Sequence, residues 1–317
     1  MKIKKVYIAF FALILLFFVV GIYAYKATFS GLKEKGKVLG ATINNIYSQK
    51  QIDTIAPPVK GANYTDLKIS AESAILLRQT DKYPLFEKNS DQEVAIASIT
   101  KVMTAIVALE KYKTDRVVEV KKENTEVIPS KIFLTTGEKI TIENLLYGAL
   151  VSSGNDAARA LSTIDTTQAE FVELMNKKAQ ELGMAHTKFS DPAGLDDSGR
   201  SSARDIAIMF SYGMNNDLLK KIIGTKDATI KSVDGAQVHE LKNSNRLLTG
   251  EIPIEGNVIG GKTGVTDAAG HTLVCAVERE NNILISVVLK TLSEKNTASA
   301  EESKKLLDWG FASYILN

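Results

Sequence analysis

Three short motifs carry residue types that could perform nucleophilic chemistry. Ser98-Ile99-Thr100-Lys101 places a hydroxyl and an amine three residues apart, which puts both groups on one face of a helix. An amine that has lost its proton can accept the hydroxyl proton, as a nucleophile and its base require. The tetrapeptide is not specific by itself, because Ser30-Gly31-Leu32-Lys33 repeats it. A plain helix cap is the alternative interpretation of Ser98.

The other two motifs supply polar groups of the kinds that bind a peptide. Ser153-Gly154-Asn155 follows a predicted helix and offers a hydroxyl and an amide. Lys262-Thr263-Gly264 adds a cation and a hydroxyl on a predicted strand. Gly260 and Gly261 precede it, and glycine on a strand lets a substrate backbone approach closely. The three motifs together indicate one serine-based catalytic site.

The elements that must position these motifs are strands at both ends of a domain and helices between them. Turn residues and apolar periodicity predict strands at 73–78, 84–88, 258–266, 271–278 and 283–290. The same signals, with capping patterns at Thr167 and Ser202, predict helices at 99–112, 141–151, 167–183, from 202 onward, and 298–314. We therefore predict an α/β (α+β) fold, in which both chain ends build one antiparallel sheet flanked by helices with a helical subdomain.

The first residues of the chain differ in composition from the rest. Lys2, Lys4 and Lys5 precede the uncharged stretch Val6–Tyr25, which is long enough for one transmembrane helix with its lysines on the cytoplasmic side. A cleaved signal peptide is the alternative. We predict a membrane anchor at 1–26, an extracytoplasmic spacer at 27–61 and a catalytic domain at 62–317.

Composition excludes several classes of function. The chain has 39 basic and 37 acidic residues and no long basic block, so nucleic acid is not an expected partner. Its one cysteine, Cys275, excludes an intrachain disulfide and is predicted to be a core residue. The three histidines have no metal-ligand spacing, so we expect no metal and no other cofactor. His271 is expected at the rim of the site.

The motifs and several longer segments together resemble one known family. Phe189–Leu195, Asn243–Leu248, Lys262–Gly270 and Glu302–Phe311 are similar to the low-molecular-mass penicillin-binding proteins, which are serine D-alanyl-D-alanine carboxypeptidases. The resemblance covers about residues 66–311. It implies the fold of class A β-lactamases, peptidoglycan stem peptides ending in D-Ala-D-Ala as substrate, and covalent inhibition by β-lactams.

The resemblance also implies a role for each site residue. Ser98 is the expected nucleophile and Lys101 its base. Burial and a nearby cation, for which Lys262 is the candidate, are expected to lower the pKa of Lys101. Ser153 is expected to relay a proton and Asn155 to hold the substrate amide. Lys262 and Thr263 of the Lys262-Thr263-Gly264 motif are expected to bind the terminal carboxylate. The backbone N–H groups of Ser98 and Val265 are expected to form the oxyanion hole.

Other functions of the same fold remain open at this stage. A transpeptidase or endopeptidase differs in its acyl acceptor, and a β-lactamase needs a carboxylate that activates water. Glu173 offers one, although helical periodicity predicts that it lies on a helix surface. A penicillin-binding scaffold without catalysis is the remaining alternative.

The sequence departs from the family pattern in two ways. No arginine follows the Lys-Thr-Gly strand near residues 289–295, so we expect Lys290 or Lys295 to assist carboxylate binding. We also expect no β-rich C-terminal domain, so that anchoring depends on the N-terminal segment.

Overall fold

The described part of the chain begins after the predicted anchor. The structure is a computed structural model that describes residues 56–62, 64–128 and 130–316. The predicted transmembrane segment Val6–Tyr25 and the second Ser-x-x-Lys sequence at Ser30 lie outside these residues. Within the described ranges, every helix is either too short or too polar to cross a bilayer.

The described residues contain eleven strands, and those of the main sheet come from the two ends of the chain. They are β1 (Val59–Lys60), β2 (Ser73–Arg78), β3 (Pro84–Lys88), β4 (Val117–Glu119), β5 (Lys139–Thr141), β6 (Asp227–Lys231), β7 (Val238–Lys242), β8 (Asn257–Thr266), β9 (Gly270–Arg279), β10 (Asn282–Thr291) and β11 (Tyr314–Ile315). Five of them form one antiparallel sheet in the spatial order β3-β2-β10-β9-β8. This sheet joins both ends of the domain, as predicted.

Helices occupy the middle of the chain and its last segment. A single 3₁₀ turn, Ala97–Ile99, precedes the first of them. The α-helices are α1 (Thr100–Lys111), α2 (Lys122–Thr125), α3 (Ile142–Leu150), α4 (Asn155–Ser162), α5 (Gln168–Glu181), α6 (Ala203–Gly213), α7 (Asp217–Ile223), α8 (Arg246–Thr249) and α9 (Ala298–Ser313).

Successive side chains of a strand point to opposite sides of the sheet, so one strand can contribute to a core on each face. On β2, Ile75 and Leu77 belong to the large core that includes α1 and α6. Leu76 points the other way, into a second core with Leu306 and Trp309 of α9. Helices therefore cover the sheet on both sides, and the mixed α/β prediction is confirmed.

The two ends of the described chain are paired with each other. Val59 and Lys60 of β1 lie opposite Ile315 and Tyr314 of β11, and Gly61 N–H donates to the Ser313 carbonyl at 2.8 Å. Strand β1 falls within the segment 27–61 that the sequence predicts as a spacer. The division of the chain at residue 62 stays a prediction.

Local capping signals located helix starts within a residue or two. Thr167 Oγ1 accepts from Glu170 N–H, and the Glu170 carboxylate accepts from Thr167 N–H at 2.7 Å, which confirms the capping box. Ser202 caps α6 by accepting from Asp205 N–H. The hairpin β6-β7 was not predicted, because six of its ten residues are exposed and its apolar pattern is weak.

Candidate active site

Ser98 lies in the tight turn that precedes α1. The turn Ala97–Ile99 is 3₁₀, and Ile99 occupies the position before the first residue of α1. The interpretation of Ser98 as the cap of this helix is therefore wrong. Ala97 has a backbone φ of 48°, in the left-handed region that side chains disfavour. Such strain is frequent at functional sites, and here it accompanies a half-buried serine hydroxyl.

The amine of Lys101 is fully buried and surrounded by three oxygen atoms. Its Nζ lies 2.7 Å from Ser98 Oγ, 2.8 Å from Asn155 Oδ1 and 2.7 Å from the Ala193 carbonyl oxygen. The orientation of the Asn155 amide follows from its Nδ2, which donates to the Ile128 carbonyl at 3.0 Å. The two carbonyl oxygens around Lys101 can only accept, so they take two N–H groups. The third position on the nitrogen faces Ser98.

This arrangement suits a neutral amine with its lone pair directed at the serine hydroxyl. Burial lowers the pKa of Lys101 well below its usual 10.5, and the charge of Lys262 lowers it further. Asp191 and Asp156 act in the opposite direction. Burial and the Lys262 cation, the two causes expected from the sequence, thus both act on Lys101, and burial is the larger one.

The carbonyl of Ala193 is held in place by Asp191, a residue that sequence reasoning missed. The Asp191 carboxylate accepts four backbone N–H groups, from residues 193, 194, 195 and 196, at 2.7 to 2.9 Å. These bonds fold residues 191–196 into a tight loop against the turn that carries Ser98. Asp191 lies in the segment Phe189–Leu195, so the family resemblance was the only signal that could have found it.

Gly194 allows this loop to approach the nucleophile. Its φ is +74°, and a Cβ atom at this position would lie 1.9 Å from the Ala97 carbonyl oxygen and 2.8 Å from Thr100 Oγ1. Because backbone atoms cannot move aside as a flexible side chain can, only glycine fits here. The loop and the nucleophile turn are therefore packed directly together.

Ser153 and Asn155 flank the start of α4. Ser153 has a left-handed φ of 57°, and its Oγ accepts a hydrogen bond of 2.9 Å from Lys262 Nζ. The buried carboxylate of Asp156 accepts from Ile132 and Leu134 N–H at 3.1 Å. This carboxylate ties the segment that contains Ile132 and Leu134 to the helix that carries Asn155. The contacts of Asn155 with Lys101 and Ile128 leave one N–H of its amide unused, so the expectation that Asn155 holds the substrate amide stays a prediction.

Lys262 lies behind the site rather than in its wall. It is 2% exposed, and its Nζ donates to Ser153 Oγ and to the Thr263 carbonyl, each at 2.9 Å. Burial lowers its pKa to about 7. Lys262 is not among the described residues that line the cleft, so the expectation that it binds the substrate carboxylate directly gains no support from this arrangement and stays a prediction. Thr263 does reach the site, where its hydroxyl is hydrogen-bonded to that of Ser244.

The end of β8 passes close to the nucleophile. A Cβ atom on Gly264 would lie 3.0 Å from Ser98 N and 2.9 Å from the Ile96 carbonyl oxygen. The side chain of Val265, next in sequence, is 63% exposed. β8 is an edge strand of the sheet, so this stretch is available to an extended substrate.

Gly260 and Gly261 make room for the protein itself and not for substrate. A Cβ on Gly260 would lie 2.6 Å from the Ile223 carbonyl at the end of α7, and one on Gly261 would lie 2.8 Å from Asn245 Nδ2. The expectation of a close substrate approach at this pair is therefore wrong.

A cleft of about 340 Å³ connects the exposed parts of the three motifs. Six of the predicted site residues line it, namely Ser98, Ser153, Asn155, Thr263, Gly264 and Val265. His271 also lines it, as expected for a rim residue. Among the described residues that line this cleft there is no aspartate or glutamate. Glu173 is exposed on α5, which agrees with its interpretation as a helix-surface residue.

Three other residues named from the sequence lie away from the chemistry. Lys290 is paired with Glu72 at 2.8 Å, and neither it nor Lys295 lines the cleft, so the expected help with carboxylate binding is not supported. Cys275 is fully buried in the core, where burial raises its pKa to about 12. In the described ranges, no group of three or more His, Cys, Asp or Glu side chains is placed to hold a metal ion.

The sheet, the turn and the buried amine define the class of serine enzymes in which a lysine is the partner of the nucleophile. The sequence profile of the D-alanyl-D-alanine carboxypeptidase family, peptidase S11, matches residues 59–293. The chain belongs to this family.

Individual relatives agree with this assignment. The chain is 34% identical to D-alanyl-D-alanine carboxypeptidase DacF of Bacillus subtilis over 263 residues, which cover 80% of this chain and 65% of that protein. The chain thus spans less than two thirds of the length of such curated relatives.

Two solved structures have the same fold. A D-alanyl-D-alanine carboxypeptidase from Mycobacterium tuberculosis H37Rv has a TM-score of 0.73 and 30% identity, over 80% of this chain and 96% of that one. The DD-transpeptidase of Streptomyces K15 has a TM-score of 0.72 and 30% identity, over 78% of this chain and 99% of that one.

Proposed function

We propose that this protein is a serine D-alanyl-D-alanine carboxypeptidase. It removes the terminal D-alanine from peptidoglycan stem peptides through an acyl-enzyme on Ser98, and β-lactams inhibit it by acylating the same serine. The observation that carries this proposal is the 2.7 Å contact between the buried Lys101 Nζ and Ser98 Oγ. Family membership supports the choice of substrate.

The reaction begins with proton transfer from Ser98 to neutral Lys101. The Ser98 oxygen then attacks the carbonyl carbon of the penultimate D-alanine, and the backbone N–H groups of Ser98 and Val265 stabilise the resulting oxyanion. The peptide C–N bond breaks as the leaving nitrogen takes a proton, which gives free D-alanine and the ester on Ser98. Water then hydrolyses this ester and restores the serine.

Ser153 and Lys262 complete the path of the proton in this proposal. Ser153 Oγ lines the cleft on one side and accepts from Lys262 on the other, so it can pass a proton to the leaving amine. Lys262 can replace that proton, since a lysine with a pKa of about 7 exchanges protons readily at neutral pH. Asn155 positions Lys101 and leaves one N–H of its amide for the substrate.

Rival activities of the same fold differ in the fate of the acyl-enzyme. A transpeptidase or endopeptidase uses the same acylation chemistry, so it is a second candidate, supported by the likeness to the Streptomyces K15 enzyme. A β-lactamase needs a carboxylate beside the ester, and the cleft-lining residues that the structure describes include none. A catalytically silent scaffold is disfavoured, because Ser98, Lys101 and Lys262 are all retained.

We propose, in addition, that residues 1–26 anchor the enzyme in the cell membrane with its catalytic domain outside. The three lysines before the uncharged stretch Val6–Tyr25 support this orientation. Intact-mass measurement of the protein from membranes tests the proposal. A product that retains Met1–Lys26 is expected, whereas loss of this segment would favour a cleaved signal peptide.

Release of D-alanine from a pentapeptide that ends in D-Ala-D-Ala tests the function. The wild-type protein should release D-alanine and form a covalent adduct with benzylpenicillin that maps to Ser98. Ser98→Ala should lose both reactions, while the exposed control Ser70→Ala keeps them. An adduct that persists in Ser98→Ala would contradict the assigned nucleophile. D-Alanine leaves in the acylation step of either reaction, so a product in which the shortened peptide is joined to an added amine, without the hydrolysed tetrapeptide, would identify a transpeptidase.

A further inference from the structure

Arg246 carries the one permanent charge among the described residues that line the active-site cleft. It is the first residue of α8, in the segment that immediately precedes β8, and its side chain is 25% exposed. Lys101 and Lys262 are both buried behind the cleft wall. An anionic group that enters the cleft therefore meets Arg246 as its nearest available permanent cation.

Two protein groups hold the guanidinium of Arg246. Its Nη1 forms an ion pair with the Glu251 carboxylate, and its Nε donates to the Asn296 carbonyl at 3.2 Å. A guanidinium has five N–H groups, and these contacts account for three of them. In the part of the chain that the structure describes, the two N–H groups of Nη2 have no partner. The contacts of Nε and Nη1 thus orient the side chain, while Nη2 can still donate to a ligand.

The segment that carries Arg246 is anchored rigidly beside the Lys-Thr-Gly strand. Asn245 is fully buried, with its Oδ1 accepting from Leu247 N–H at 3.1 Å and its Nδ2 donating to Cys275 Sγ at 3.5 Å. Ser244, one residue earlier, is hydrogen-bonded to Thr263 through their hydroxyls. Hydroxyls of Ser244 and Thr263 therefore lie next to the arginine along one wall.

We propose that Arg246, together with Thr263 and Ser244, binds the terminal carboxylate of the substrate. This inference rests on the proposed function and names the specificity determinant of that same site. The two N–H groups of Nη2 and the one hydroxyl hydrogen that the Ser244–Thr263 bond leaves free are suitable donors for a carboxylate. The chain thus supplies its carboxylate-binding arginine from the segment before β8, although the sequence contains none in the segment after it.

The test compares a peptide ending in D-Ala-D-Ala with its C-terminal amide, which lacks the negative charge. In Arg246→Ala, kcat/KM for the free acid should fall by about 10- to 100-fold, chiefly through KM, the range for a hydrogen bond to a charged group. The value for the amide should change little, so the preference for the free acid is lost. Arg246→Lys should restore part of the preference, because it keeps the charge but not the planar fork.

Lys295→Ala is the matched control, since it removes an exposed cation that does not line the cleft. It should leave both substrates unaffected. Thermal unfolding of each variant checks folding, and Arg246→Lys keeps the inference testable where Arg246→Ala does not fold. If Arg246→Ala lowers kcat/KM equally for the acid and the amide, Arg246 has only a structural role. If kcat/KM for the acid does not fall, Arg246 has no role in binding. Either result overturns the inference. Absence of D-alanine release by the wild-type protein would instead refute the proposed function.

Discussion

Lys262 Nζ lies 2.9 Å from Ser153 Oγ, a hydrogen bond that joins the edge strand β8 to the loop between α3 and α4. The contact spans the two sides of the cleft and places the lysine behind its surface. From this position Lys262 lowers the pKa of Lys101 and donates to Ser153 Oγ. In our proposal, recognition of the substrate carboxylate depends on Thr263, Ser244 and Arg246, which line the cleft.

The pH dependence of acylation should report the protonation of Lys101. Acylation requires its neutral form, so the rate rises with pH through the pKa of Lys101. Lys262→Met removes a neighbouring cation, which raises that pKa and moves the rising limb to higher pH, while burial continues to lower the pKa. Stopped-flow acylation by a fluorescent penicillin measures the limb, with Lys295→Met as control. A limb that stays in place or moves to lower pH would show that Lys262 does not act on Lys101.

Buried Lys262 should also make stability depend on pH. Its pKa is about 7 in the folded protein and 10.5 in the unfolded chain. Between these values the unfolded chain binds more protons, so the free energy of unfolding rises with pH. The slope is about 1.4 kcal/mol per pH unit for one such lysine. Lys262→Met should lower the slope by about this amount.

Urea denaturation at two pH values within that window, for wild type and variant, measures this difference. The subtraction removes the contribution of Lys101, which has the same sign. Equal slopes for wild type and Lys262→Met would mean that Lys262 keeps an ordinary pKa in the folded state.

Gly183 and Gly194 have the same φ but different surroundings, so substituting each by alanine distinguishes the effect of backbone strain from that of a steric clash. Gly194 and Gly183 both have a φ of +74°, but a Cβ on Gly183 meets nothing within 4 Å, whereas one on Gly194 meets the Ala97 carbonyl at 1.9 Å. Gly183→Ala should cost about 1 to 2 kcal/mol of stability and leave acylation unchanged. Gly194→Ala should displace the nucleophile turn and slow acylation about 100-fold, as misplacement by about 1 Å can do. Similar acylation rates in the two variants would contradict the direct packing of the loop on Ser98.

Glu173 should play no part in deacylation. It is exposed on α5, so Glu173→Gln should leave the lifetime of the penicilloyl adduct unchanged, as should the exposed control Glu119→Gln. Time-resolved intact-mass spectrometry follows the decay of the adduct. A longer-lived adduct in Glu173→Gln alone would mean that this carboxylate activates water, and would favour the β-lactamase alternative.

Much of the fold and the reactive groups could be predicted from the sequence because they depend on local patterns. Apolar runs next to turn residues predicted β2, β9 and β10, and the cap at Thr167 predicted the start of α5. The spacing of Ser98 and Lys101 sufficed to predict their contact, since residues three apart share one side of a helical turn. Hairpin β6-β7 was not predicted, because most of its residues are exposed and its strands lack a continuous apolar pattern.

The surroundings of these groups were decided only by the tertiary structure. The Ala193 carbonyl reaches Lys101 from 92 residues further along the chain, and no local pattern encodes such a contact. From the sequence, Lys262 was expected to contact the substrate carboxylate, and no arginine was identified for it near residues 289–295. Folding instead buries Lys262 behind Ser153 and brings Arg246 into the cleft wall. Burial and long-range neighbours determine which charges remain available to a ligand, and both arise only when the sheet and the helices pack together.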